Sequence, residues 1–137
     1  MEDYLRERIE RELEFLVSTV RNTVSSLKEI RVFGSYNNGS YLPEKSDIDI
    51  FILLKNYPKI GLGIDHLATK EFLRNYKRGK LLSEIRKKLL TRGVDWEFDF
   101  TIMDTEELRV EWNNNRRNLP TVFGEDLTNG RLLYSAI

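Results

Sequence analysis

Asp47 and Asp49 stand one residue apart at the head of an apolar run, Asp47-Ile48-Asp49-Ile50-Phe51-Ile52-Leu53-Leu54. In an extended chain alternate side chains share a face, so the two carboxylates leave together, about 7 Å apart along the backbone. Two bare carboxylates that close repel each other, and Asp is a poor strand former. The placement is costly unless the charges are used. A divalent cation removes the penalty, and oxygen-only donors on a stiff strand suit magnesium, which keeps some waters and completes its shell with substrate phosphates. Upstream, Gly34-Ser35 follows the apolar pair Val32-Phe33, where the chain turns. Gly allows close backbone approach. If a helix begins there, its free N–H groups and the Ser35 hydroxyl can cradle a phosphate. Downstream, Val94, Trp96, Phe98, Phe100 and Ile102 point one way and Asp95, Glu97, Asp99, Thr101 and Met103 the other. That polar edge offers Asp95, Glu97 and Asp99 as further carboxylates.

Gly34-Ser35, eleven intervening residues, then Asp47-Ile48-Asp49-Ile50 resembles the signature of the polymerase-beta-type nucleotidyltransferase superfamily. The length of the chain suggests the minimal stand-alone type. The stretch GSYNNGSYLPEKSDIDIFIL is also similar to the catalytic segment of archaeal CCA-adding enzymes. The resemblance covers residues 29–54 closely and 94–103 loosely. It implies a third carboxylate on a later strand, for which Asp99 fits best and Glu97 is the alternative. It implies two magnesium ions held by Asp47, Asp49 and Asp99, with Gly34 and Ser35 binding the nucleotide, ATP being the expected donor. An acceptor hydroxyl then attacks the α-phosphorus and pyrophosphate leaves. The small stand-alone members pair with a HEPN-type helical toxin, and in that system the acceptor is a tyrosine of the toxin. Two other readings stay open: a module that keeps the fold but chiefly binds and neutralises a partner, and a nucleotidyltransferase acting on a small molecule. Tyr36, Asn37 and Asn38 stand where many stand-alone members carry a basic residue, which weakens the phosphate grip or moves it to Lys45 or to the basic helices. The chain ends where the RNA-binding domains of CCA-adding enzymes would begin, so a complete enzyme of that kind is not expected.

Other chemistry has less support. His66 is the one histidine and has no triad context. Gly61-x-Gly63 does not extend to a dinucleotide fingerprint. Tyr36, Tyr41 and Tyr57 are read as packing or rim residues, and Trp96 and Trp112 as core.

The elements that must position these residues follow from periodicity. Leu5, Ile9, Leu13, Leu16, Val17, Val20, Val24 and Leu27 recur every three or four positions and predict a helix over 3–28. Glu29–Phe33 reads as a short strand and Asp47–Leu54 as a central strand covered on both faces. Residues 65–78 and 80–91 predict one broken helix or two, interrupted near Gly79. Val94–Met103 is a strand, Asp104-Thr105-Glu106-Glu107 a helix start, and Arg131–Ala136 a short closing helix. The order predicts an α/β (α+β) fold: a small mixed sheet with helices on one face.

The 137 residues suit a single domain with one core. Hydrophobic residues make up 40% and charged ones 32%, a globular balance. There is no apolar run long enough to span a membrane, no secretory signal and no cysteine, which together suit a cytoplasmic protein. The 22 basic and 22 acidic residues cancel, which argues against gripping a long nucleic acid unaided. The charge is segregated: nine basic and two acidic side chains lie between Lys70 and Arg92, and seven acids with one Arg between Val94 and Glu111. The oligomeric state is left open, a homo-oligomer included.

Overall fold

The computed structural model describes residues 2–42, 46–55, 67–91, 98–108, 121–122, 125–126 and 129–136. The first helix, α1, spans Asp3–Thr23 and buries Ile9, Leu13, Leu16, Thr19 and Val20. That stripe is the predicted one, but the helix stops five residues short of the expected end. The β-branched pair Thr23-Val24 and the two serines that follow propagate a helix poorly. Val24 is already extended (φ −117°). The strand β1 therefore begins early, at Leu27, and runs to Phe33. A five-residue helix, α2, covers Gly34–Asn38, and β2 covers Ile48–Leu54.

The helix α3 runs unbroken over Leu67–Leu90, straight through Gly79. The expected interruption is absent because the helix is held by packing. Leu81, Leu82, Ile85 and Leu89 join the core on its C-terminal side, and one Gly costs only about 1 kcal/mol against Ala in a helix. Next, β3 spans Phe98–Asp104. Residues 92–97, with Asp95, Trp96 and Glu97, lie outside the described residues, as do Lys45, Tyr57, Gly61, Gly63, His66 and Trp112. A helical turn over 105–108 follows β3. Asp104 Oδ1 accepts from the Glu107 N–H (2.9 Å) and Glu107 Oε1 from the Asp104 N–H (3.1 Å). This reciprocal capping box is the helix start expected there. Two short strands, β4 (Thr121–Val122) and β5 (Glu125–Asp126), pair antiparallel.

The last strand, β6, spans Arg131–Ser135 and corrects the expected closing helix. Its backbone pairs antiparallel with β1, Ile30 opposite Tyr134 and Val32 opposite Arg131. The open edge of β1 supplies hydrogen-bond partners that a five-residue segment cannot supply to itself as a helix.

The main sheet has the order β3-β2-β1-β6. The β2–β3 pair is parallel and the others antiparallel, so the sheet is mixed, as predicted. Alternation sorts the strand residues onto two faces. Ile30, Val32, Ile48, Ile50, Ile52, Leu54 and Ile102 join the residues of α1 and α3 in one core. Phe33, Phe51 and Leu53 form a second, smaller cluster on the opposite face, with Met103 and Leu108 against it. The apolar run of β2 is thus buried on both sides. Each fully buried large apolar side chain contributes roughly 1.5–3 kcal/mol. No helix among the described residues is long and apolar enough to cross a membrane.

Candidate active site

The chemistry-bearing residues gather at one end of the second face. The parallel register of β2 and β3 sets Asp49 opposite Asp99. Register partners on adjacent strands share a face, and neighbouring strands lie about 4.8 Å apart. On the other side of β2, Phe33 is the partner of Asp49. Asp99 is exposed and Asp49 half-buried. Asp47 precedes β2 and is exposed. Its charge is felt at Tyr41, whose hydroxyl pKa is raised first by burial and then by the Asp47 carboxylate.

Gly34 opens α2 directly beside Asp49. Its φ is +74°, in the region that disfavours side chains. A Cβ there would overlap the Asp49 carboxylate and lie 3.2 Å from its Cγ. Glycine is what lets the turn after β1 approach that carboxylate. Ser35 is the next residue and half-buried. At its far end, α2 closes on Gly39, with φ +88° and its N–H on the Ser35 carbonyl. The Ser40 N–H shares that acceptor at 2.9 Å. The turn is thereby tied off within six residues.

Beneath Asp49 the sheet is closely packed. Phe33 and Phe51 meet edge to face with centroids 6.1 Å apart. Gly130 lies against Phe33 so closely that a Cβ would come within 2.5 Å of the ring. Arg31, on the same face, donates to the Gly130 carbonyl (2.9 Å) and pairs with Glu29 (3.1 Å). Sequence reasoning passed over Gly130 and Arg31. The only signal was the alternation of charge and apolarity along β1.

The described residues therefore bring Asp49 and Asp99 abreast, with Gly34 against Asp49 and Ser35 next in the chain, while Asp47 precedes β2 and lies near Tyr41. Among them, no three His, Cys, Asp or Glu side chains converge as a ready ion cage. The donor set nonetheless suits magnesium, which takes one or two protein carboxylates and fills its octahedron with water and substrate phosphates.

Residues 7–117 match the family described as nucleotidyltransferase domain. The matched stretch contains Gly34, Ser35 and all three aspartates. Among solved structures, the chain is similar to a candidate nucleotidyltransferase from Sulfolobus solfataricus. Identity is 18% and the TM-score 0.47, covering 98% of this chain and 89% of that one. No curated protein matches the chain.

Proposed function

The chain belongs to the nucleotidyltransferase domain family, and on that premise we propose that it transfers a nucleoside monophosphate, AMP from ATP, to a hydroxyl acceptor with the help of magnesium. The observation that carries the reading is the pairing of Asp49 with Asp99 on adjacent parallel strands beside a glycine turn.

In this reading Asp49 and Asp99, with Asp47, hold two magnesium ions. When bound, magnesium neutralises charge on the triphosphate and lowers the pKa of the acceptor hydroxyl. The chain's own groups do the rest. The Ser35 hydroxyl, with the backbone at Gly34, holds the β- and γ-phosphates. The stiff β2–β3 pair fixes the carboxylates, so that little reorganisation is needed as charge develops. Asp99 is the exposed member of the pair and takes the acceptor's proton. The new bond joins acceptor oxygen to the α-phosphorus, the bond from that phosphorus to the β-phosphate bridge breaks, and pyrophosphate carries away the electron pair.

For the acceptor we propose a protein hydroxyl, a tyrosine of a HEPN-type helical partner, which gives the chain an antitoxin role. Its support is analogy with the small stand-alone members of the superfamily. A second reading has its own observation. The residue after Ser35 is Tyr36, which is buried in the core and brings no positive charge to the phosphates. That favours a module which binds and neutralises its partner with little catalysis.

ATP labelled at the α-phosphate, supplied with magnesium and the product of the neighbouring gene, separates the two. The first reading expects label on the partner protein and one pyrophosphate released per transfer. A tight complex without label would favour the second. Label on a small molecule, with none on protein, would reassign the acceptor.

A further inference from the structure

On the other side of α2, facing the helices, an open cleft of about 220 Å³ is lined by Arg6, Glu10, Tyr36, Asn37, Gly39 and Arg131. Three elements meet there. Arg6 and Glu10 are one turn apart on α1, Tyr36 and Asn37 come from α2, and Arg131 begins β6. Arg131 Nη2 donates to Glu10 Oε2 (3.0 Å) and lies 2.9 Å from Oε1 in an ion pair. Arg6 is exposed and makes no ion pair among the described residues. Two guanidinium groups face one carboxylate, so the cleft keeps one positive charge. Tyr36 is only 8% exposed, and its buried hydroxyl lies beside the Glu10 carboxylate without closing a well-formed hydrogen bond to it. A buried hydroxyl so loosely satisfied is available to a better acceptor. The Asn37 amide holds one rim in place through the Asn129 carbonyl (2.8 Å).

We propose that this cleft is an anion site for a tetrahedral, phosphate-type oxyanion, held between Arg6 and Arg131 and accepting a hydrogen bond from the Tyr36 hydroxyl. Guanidinium forks match phosphate oxygens. Three donor groups converging from three elements suit a tetrahedral anion better than a planar carboxylate with two oxygens. The ligand displaces the Glu10 carboxylate from Arg131. The Glu10–Arg131 pair is partly exposed, 37% and 45%, and pairs of that kind open at little cost. Because α2 also carries Gly34 and Ser35, occupancy would firm the turn beside Asp49 from behind. The inference does not rest on the proposed reaction.

The test titrates inorganic phosphate into the whole chain with chelator present and ionic strength held with chloride, following amide shifts and thermal melting. Acetate is the planar control. Saturable binding in the millimolar range is expected, with shifts at Asn37 and Gly39. Arg6→Ala should weaken it about 10-fold. Glu10→Gln should tighten it severalfold, because it removes the competing charge. Tyr36→Phe should weaken binding without lowering the melting temperature of the free protein. Asp49→Asn should leave binding unchanged. The proposal is overturned by any of three results: no saturation, equal affinity for acetate, or binding that responds to Asp49→Asn but not to Arg6→Ala.

Discussion

At Gly34 a single hydrogen stands where a Cβ would meet the Asp49 carboxylate, on a backbone with φ +74°. Gly34→Ala should therefore do two things at once. The left-handed backbone costs on the order of 1–3 kcal/mol, read as a lower midpoint in urea. The carboxylate, being a side-chain end, swings aside, so transferase activity should fall further than stability. A variant as active as wild type would mean that Asp49 does not need its present position. Tyr36 gives a second residue-level prediction. Burial first, then the Glu10 carboxylate, raise its pKa to about 12. A tyrosine whose folded value is raised loses its proton more readily when unfolded. It contributes stability below about pH 10, and that contribution drains away as pH rises from the ordinary tyrosine value of 10.0 toward 12. Urea midpoints measured across that window should fall for wild type and fall less for Tyr36→Phe. Identical slopes would place the alkaline sensitivity elsewhere.

Among the elements, α3 offers the cleanest stability test. Gly79 is exposed, and a Cβ there meets nothing within 4 Å. Gly79→Ala should stabilise by about 1 kcal/mol, a gain of a few degrees in melting temperature. No gain would mean that the helix bends or frays at this point. The same helix shows where sequence reasoning stops. The interruption expected at Gly79 weighed one local preference, while Leu81, Leu82, Ile85 and Leu89 fix the helix through the core. In α1, by contrast, the 3.6-residue stripe and the packing agree, so the buried face was legible. The β2 run was legible as a doubly covered strand because it is apolar at nearly every position. Arg131–Ser135 was not. Five residues carry no distinguishing period, and what makes them a strand is β1, about a hundred positions earlier. That Asp49 and Asp99 sit on strands was legible because each lies in a clear apolar pattern, but their register as partners, and Asp47 falling outside β2, were not. The cleft at Arg6, Glu10, Tyr36 and Arg131 was invisible, since its members meet only after three elements pack.

As a whole, the molecule spends one face of its sheet on a core and leaves one end of the other face for carboxylates. Ile48, Ile50 and Ile52 bury themselves against α1 and α3, while Asp49, between them in sequence, lies on the opposite face beside Asp99. Charge is divided in the same spirit: the chain is neutral overall, yet exposed Lys77, Lys80, Arg86 and Lys87 line α3. The division predicts that the aspartates can be changed without loss of fold. The most direct test is calorimetric titration of a non-hydrolysable ATP analogue, with and without magnesium, into wild type and Asp49→Asn, with circular dichroism to verify folding. Wild type should bind only when magnesium is present, and the folded variant should lose that binding by about 100-fold. Equal magnesium-dependent affinity in both proteins would contradict the assignment of the Asp49–Asp99 pair as the metal and nucleotide site.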